Sequence, residues 1–184
     1  SAEIGIQLYK EEYGEKNIFV CDSHSASCGE TQLAYKAAEW SEEGLPFEEI
    51  CRKLIEYRDQ MNTYFVLDNL ETLRKNGRLT GVKALVASTL SIKPVMGANA
   101  GEIIQLGQAI GIKKTLAKMA ETVVKEAIHP EEKSLMITHC NCLERAESVK
   151  KMILEKINVK KVLIMDTRGV SSMYANDGGV IVTL

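Results

Sequence analysis

Residues 77–106 limit how this chain can fold more than any other stretch. Gly77 and Arg78 form a turn that follows a predicted helix. Residues 82–89 then carry apolar side chains at helical spacing, so one face of this segment is expected to be buried. The residues on that face are Val82, Leu85, Val86 and Thr89.

A β-hairpin is predicted directly after this helix. Its strands are Ile92–Met96 and Glu102–Leu106, and its turn is Gly97–Gly101, where Gly and Asn suit positive φ angles. Nothing in the stretch resembles a nucleophile or a metal site. The helix and hairpin therefore predict one wall of an apolar cavity, with the charge of Arg78 at its rim.

The composition excludes several classes of protein. Hydrophobic residues make up 45% of the 184 residues and the net charge is −2, without a long basic run, which argues against a nucleic-acid surface. The longest apolar runs are too short for a membrane span. Five cysteines without a framework spacing suggest reduced thiols, so we expect a cytoplasmic protein. The sequence also predicts no cofactor.

The first part of the chain alternates between helical and strand patterns. Short apolar runs at Ile18–Asp22 and Tyr64–Leu67 are of the kind that parallel sheets bury. In an open α/β sheet, ligands bind at the carboxyl ends of such strands. The predicted helices are Ser1–Tyr13, Cys28–Glu43 and a segment from Pro46 to Asp59.

Three local signals predict helix ends in this part. Ser27 with Glu30, and Asp68 with Glu71, have the spacing of capping boxes. Gly77 stands where a glycine ends a helix.

After residue 80 the pattern becomes helix, hairpin, helix, strand, helix, strand, strand, and we place a domain boundary there. Asn141 is predicted to cap the helix that follows residue 141. The predicted elements are a helix over 112–127 and strands at Ser134–His139, Val162–Met165 and Gly179–Thr183.

Two clusters suggest chemistry, and in each the plainer interpretation is preferred. The segment Asp22–Ser27 contains Asp, His and Ser, but neighbouring side chains on a turn rarely form a catalytic triad, which depends on geometry. A turn with satisfied backbone groups is favoured. His139–Cys142 could be half of a zinc site, yet no second ligand pair matches it. Buried thiols are the better interpretation.

Several motifs in the same order resemble the DegV family of fatty-acid-binding proteins. They are the runs Asp68–Leu79, Lys83–Leu85 and Leu90–Pro94, together with the earlier turn Asp22–Ser27. The resemblance implies that residues 1–80 form the C-terminal part of a first, three-layer parallel-sheet domain. Residues 81–184 would form a second, two-layer α/β domain with a mixed, largely antiparallel sheet. It also implies that the front of the first domain is missing, so we expect a fragment or truncated form.

The resemblance further implies a function. A long-chain fatty acid would occupy an apolar tunnel between the two domains, and a partner kinase would convert its carboxylate to an acyl phosphate. The chain itself would not be an enzyme. By this resemblance Arg78 lies near the carboxylate, and Tyr174 stands where the family usually has a histidine. Ser23 and Ser25 are pocket-edge candidates, and the tail-binding candidates are Leu85, Leu90, Ile92, Val95 and Ile103.

Alternatives remain open from the sequence. The chain could be a Ser/His hydrolase or a phosphotransferase resembling dihydroxyacetone kinase, which would need His24, Ser23 or Ser25 as reactive groups. It could also be a truncated scaffold that binds nothing. Taken alone, Arg78 would be an exposed arginine facing the last carbonyls of a helix. Acyl chain length and oligomeric state are not predicted.

Overall fold

A computed structural model describes residues 2–79 and 91–184. Within these ranges six strands form one sheet in the order β3-β2-β1-β6-β4-β5. The strands are β1 (Thr63–Val66), β2 (Ile92–Asn99), β3 (Glu102–Ile110), β4 (Ser134–His139), β5 (Lys161–Asp166) and β6 (Val180–Thr183). β4 and β5 are parallel, and the other four neighbouring pairs of the described sheet are antiparallel. The predicted α/β class with a mixed, largely antiparallel sheet is confirmed.

Seven α-helices occur in the described ranges, and they cover both faces of the sheet. They are α1 (Ala2–Tyr13), α2 (Cys28–Glu42), α3 (Phe47–Asp59), α4 (Glu71–Lys75), α5 (Ile112–Glu126), α6 (Leu143–Leu154) and α7 (Gly169–Ala175). α5 and α6 pack on one face, which we call the core face. α2, α4 and α7 lie on the other, which we call the cavity face. α3 packs against α2.

Alternation along the strands divides the apolar side chains between the two faces. Tyr64 and Val66 of β1 belong to the core face, whereas Phe65 and Leu67 belong to the cavity face. The amphipathic helix α5 buries Leu116, Met119 and Val123 against the core face, as its spacing predicted. The core of the protein therefore lies between the sheet and the α5/α6 pair.

The predicted hairpin is confirmed, but its turn is tighter than expected. β2 and β3 pair as far as Asn99 with Glu102, which leaves only Ala100 and Gly101 in the turn, both with positive φ. A two-residue turn of this kind matches the right-handed twist of the strands. The predicted helix over 82–89 lies outside the described residues.

Two predicted strands need correction. Ile18–Asp22 is not a strand: Ile18 and Phe19 are 39% and 38% exposed, and the segment pairs with no strand of the described sheet. An apolar run of this length has no preference for a strand unless a neighbouring strand supplies hydrogen-bond partners. The run at Tyr64–Leu67 forms β1, but β1 is antiparallel to both β2 and β6.

The division of the chain near residue 80 stays a prediction. β1 comes from before that point and pairs with β2 and β6 from after it. The described sheet therefore draws strands from both sides of residue 80.

The capping predictions were partly wrong because the polar side chains have distant partners. Ser27 precedes α2 but makes no capping bond; its Oγ is 2.9 Å from Thr138 Oγ1. Asp68 does not cap α4, and Asn69 Oδ1 accepts the N–H of Glu71 instead. The N-cap position of α6 is Cys142, not Asn141, and it too makes no side-chain capping bond.

The sequence predicted the first helix, α1, but not the last, α7. α1 forms as predicted, but it buries none of its residues, and Ile4 and Leu8 are about 60% exposed. The sequence did not predict α7, whose glycine and serines are poor helix formers.

In the described ranges no helix exceeds the 15 residues of α2 and α5, and none has the length and apolar character that crossing a membrane requires.

Candidate functional site

A cavity of about 910 Å³ lies on the cavity face of the sheet. Strands β1, β3 and β6 supply an apolar floor through Phe65, Ile103 and Ile181. α4 and α7 form its sides, and the turn before α2 lies at another edge. The remaining lining residues are His24, Ser25, Ala26, Ser27, Glu30, Thr63, Leu67, Leu73, Gly77, Arg78, Ala98, Gly101, Glu102, Val170, Ser171, Tyr174 and Ala175. The volume is within the range of about 300–1,000 Å³ that is usual for ligand pockets.

Arg78 is exposed and lines this cavity, immediately after the end of α4. Its N–H donates to Leu73 O at 2.8 Å, and the N–H of Gly77 donates to Arg74 O at 3.1 Å. These two bonds form a Schellman motif. Gly77 has φ +68°, a conformation that favours glycine, and the predicted helix-ending role of this residue is confirmed. The motif turns the backbone so that α4 ends beside the cavity.

The turn before α2 is held by its own hydroxyl groups. Ser23 Oγ donates to Ser25 O at 3.0 Å, and Ser25 N donates to Ser23 Oγ at 3.2 Å. Ser25 Oγ lies 2.6 Å from Thr63 Oγ1, which ties the turn to β1. Ser25 lines the cavity, whereas Ser23 does not. His24 and Ser27 both have positive φ, so the turn holds two non-glycine residues in a rarely adopted conformation.

This geometry gives no catalytic triad. His24 Nε2 is 3.9 Å from Asp22 Oδ2, and in the described ranges neither Ser23 nor Ser25 hydrogen-bonds to an imidazole. The serine oxygens are engaged with backbone groups and Thr63. A nucleophile and its base need to be within about 2.6–3.2 Å of each other, which is not met here.

Tyr174 lies on α7 and lines the cavity together with Val170 and Ser171. Thr167 Oγ1 and Ser172 Oγ are 2.9 Å apart, which fixes the start of this helix. The residue that stands where the family usually has a histidine therefore lies on a helix at the cavity wall.

The predicted tail-binding residues are only partly brought together. Ile103 lines the cavity. Val95 is fully buried on the core face, because it alternates with Met96, which faces the other way. Ile92 is half-buried at the start of β2 and does not line the cavity. Leu85 and Leu90 lie outside the described residues.

Sequence reasoning missed most of the cavity floor. Phe65, Leu67 and Ile181 line the cavity, as does Val170 of α7. Alternation shows that Phe65 and Leu67 face the same side, but it does not show which side contains a void. Val170 was missed together with its helix.

The cysteines and His139 do not form a metal centre. The Nδ1 of His139 accepts the N–H of Cys142 at 3.4 Å, and Cys142 Sγ donates to Gly179 O at 3.4 Å. Burial raises the pKa of the Cys142 and Cys28 thiols, which disfavours the thiolates that bind metals. Across residues 2–79 and 91–184, no group of three or more His, Cys, Asp or Glu side chains is arranged to hold a metal ion.

The whole chain resembles proteins of one family. The family model described as "Uncharacterised protein, DegV family" matches residues 5–183. A DegV domain-containing protein of Clostridium perfringens is 35% identical over 155 residues, which are 84% of this chain and 53% of the relative. Such relatives are therefore much longer than this chain.

Solved structures give the same relationship. A DegV family protein from Ruminococcus gnavus, refined with vaccenic acid, is 49% identical with a TM-score of 0.96, covering 100% of this chain and 66% of that one. The Streptococcus pneumoniae Fatty Acid Kinase (Fak) B3 protein, loaded with linoleic acid, is 27% identical with a TM-score of 0.87, covering 99% of this chain and 64% of that one. The chain belongs to the DegV family.

Proposed function

We propose that this chain binds a long-chain fatty acid in the cavity on the cavity face and presents its carboxylate to a separate kinase. In this proposal the acyl tail lies along Phe65, Ile103 and Ile181, and the carboxylate lies near Arg78. Tyr174 and Ser25 are the further candidates for hydrogen bonds to the carboxylate. The chain itself would carry out no chemical step.

The observation that carries this proposal is a large cavity with an apolar floor and an exposed arginine at its rim. Each methylene taken out of water contributes about 0.8 kcal/mol, so a long tail gains roughly 10 kcal/mol before ordering costs. A guanidinium can bind a carboxylate through two parallel N–H bonds. The combination suits a molecule with a long apolar tail and one anionic end.

The relatives support the same proposal. The Ruminococcus gnavus structure was refined with vaccenic acid, and the Streptococcus pneumoniae protein was loaded with linoleic acid. The name of the second protein, Fatty Acid Kinase (Fak) B3, supports a kinase as the partner. In the proposed reaction, a carboxylate oxygen attacks the γ-phosphorus of ATP, the bond to the β-phosphate oxygen breaks, and ADP leaves. The partner would hold the ATP.

Native mass spectrometry of the purified full-length protein tests the binding step. We expect a species heavier than the polypeptide by the mass of one fatty acid, which solvent extraction releases. Detection of the bare polypeptide alone, with no uptake of added oleic acid, would contradict the proposal.

A pair of variants tests the head-group assignment. Arg78→Met removes the cation at the rim, and we expect roughly tenfold weaker binding of oleate because one charge-assisted contact is lost. Arg74→Met is the matched control, since Arg74 pairs with Glu71 on the exposed side of α4 and does not line the cavity. Titration calorimetry measures both. Equal affinities of the two variants for oleate would show that Arg78 does not bind the carboxylate.

The presentation step is tested with a fatty acid kinase, ATP and hydroxylamine, which traps an acyl phosphate as its hydroxamate. We expect hydroxamate only when the loaded protein, kinase and ATP are all present. Hydroxamate formed by this protein and ATP alone would show that it is itself an enzyme.

A further inference from the structure

Arg145, on α6, connects two loops that lie at the sides of the cavity. Its Nη1 donates to Asp68 Oδ2 at 2.6 Å and to Gly178 O at 2.6 Å. Asp68 precedes α4, and Gly178 follows α7. Lys93 Nζ donates to Asp68 O at 2.6 Å and so holds the same loop to β2. One guanidinium therefore bridges the segments that begin α4 and end α7.

Asn176 makes a second connection between the same two helices. Thr72 Oγ1 donates to Asn176 Oδ1, and Asn176 Nδ2 donates to Asn69 O, each at 3.3 Å. These bonds run from α4 and the loop before it to the residue that ends α7. α4 and α7 also pack directly against each other.

The backbone at residue 178 is shaped to admit the ion pair. Gly178 has φ +86°, and a Cβ added there would lie 2.3 Å from Asp68 Oδ2 and 2.5 Å from Arg145 Nη1. Any larger residue would push the carboxylate and the guanidinium apart. The close approach thus depends on the absence of a side chain.

These groups lie behind the cavity wall rather than in it. Leu73, Gly77 and Arg78 line the cavity from the α4 side, and Val170 and Tyr174 line it from α7. The bridging residues Asp68, Arg145 and Asn176 do not line it. The side chains of Asp68 and Arg145 are 35% and 31% exposed, so water screens their attraction only in part.

We propose that Asp68, Asn69, Thr72, Arg145, Asn176 and Gly178 form a polar latch that holds α4 and α7 together and limits how fast the bound molecule leaves. Arg145 is its central positioning residue. The inference rests on the proposed function, because it concerns release of the fatty acid from that cavity. Opening the latch would part the two sides of the cavity without altering any residue that contacts the tail.

The latch is tested by the dissociation rate of a fluorescent fatty acid from the full-length protein. We expect the Arg145→Met and Asp68→Asn proteins each to release the fatty acid about threefold to tenfold faster than the wild type. The reason is that each variant loses a charge-assisted hydrogen bond between half-buried groups. The double variant should release it no faster than Arg145→Met alone, because each change removes the same ion pair between Asp68 and Arg145. Arg74→Met, which loses an ion pair confined to α4, should release it at the wild-type rate.

Hydrogen–deuterium exchange supplies a readout that needs no ligand. We expect faster exchange over residues 71–78 and 169–176 in Arg145→Met than in Arg74→Met, with unchanged exchange in α5. If wild-type protein takes up no fatty acid, the proposed function fails, and the exchange data alone decide whether Arg145 holds α4 to α7. Unchanged exchange, or release as slow as in the wild type, would overturn the latch. Additive effects of Arg145→Met and Asp68→Asn would overturn the link between these residues.

Discussion

The two faces of the sheet are built from the same strands but are filled differently. In the described ranges, 15 buried apolar residues form the cluster of the core face, and eight form that of the cavity face. The helices α5 and α6, of 15 and 12 residues, lie across the core face. The cavity face carries α2, of 15 residues, and the short helices α4 and α7, of five and seven residues. The cavity lies between α4, α7, the turn before α2 and the strands β1, β3 and β6.

Polar bonds hold the cavity face together where apolar packing is thinner. Three buried threonines of the strands point to this face, and each bonds to the region of α2. Thr63 contacts Ser25, Thr138 contacts Ser27, and Thr183 Oγ1 donates to the buried Gln32. Hydrogen bonds between fixed partners can secure a helix to a sheet without filling the space between them. The difference shows how a protein can keep a void and still be ordered around it.

The largest expected effect comes from removing volume on the core face. Leu135 is fully buried there, and Leu135→Ala should lower the free energy of unfolding by about 2–5 kcal/mol. Urea denaturation followed by circular dichroism measures it. Ile181→Ala removes similar volume beside the existing cavity, so its cost should be near the lower end of that range. An equal loss for both variants would mean that the faces are packed alike.

A pair of enlarging substitutions gives the next largest contrast. Ala146 of α6 is fully buried, and Ala146→Leu should destabilise the protein by about 1–3 kcal/mol through overpacking. Ala98 lines the cavity, and Ala98→Leu should change stability by no more than about 0.5 kcal/mol because space is available. Ala98→Leu should nevertheless weaken fatty acid binding. Thermal unfolding and calorimetry separate these outcomes, and strong destabilisation by Ala98→Leu would argue against an open cavity.

The smallest effect concerns a polar group on the core face. Tyr64 Oη donates to Glu126 Oε2 at 2.9 Å. Burial, and then the neighbouring Glu126 carboxylate, raise the pKa of Tyr64 above its ordinary value near 10. Tyr64→Phe should cost about 1 kcal/mol at neutral pH, the usual contribution of one hydrogen bond.

The pH dependence of this cost follows from the direction of the pKa shift. Above about pH 10 the unfolded chain loses the phenol proton while the folded protein keeps it, so the stabilisation by Tyr64 falls as the pH rises. The difference in unfolding free energy between wild type and Tyr64→Phe should therefore shrink between pH 9 and 11. A constant difference over this range would show that the phenol titrates equally in both states.

The sequence predicted elements whose signals are local. The spacing of Leu116, Met119 and Val123 was sufficient for α5, and Gly77 was sufficient for the end of α4. It failed where a residue's partner is far away in the chain. Ser27 bonds to Thr138 and Asp68 to Arg145, so both capping patterns were misleading. Spacing alone cannot show that a distant side chain competes for the same oxygen.

The candidate site was predicted less completely than the fold. Arg78, Tyr174, Ser25 and Ile103 all line one cavity, and their roles in binding stay predictions. Val95 shows the limit of this reasoning: successive strand residues face opposite sides of the sheet, and a motif does not specify which of them faces the cavity. The cavity is lined by residues from elements that are far apart in the chain, and spacing along the sequence does not show that these elements meet.

Because the N–H of Arg78 is already bonded to Leu73, the backbone that carries the guanidinium is fixed before any anion arrives. Ordering a loop residue costs about 1–2 kcal/mol of conformational entropy, and this backbone would not incur it on binding. An arriving carboxylate would need to immobilise only the rotatable bonds of the arginine side chain, at about 2 kcal/mol. Replacing Gly77 with a β-branched residue should therefore weaken anion capture even though residue 77 carries no charge.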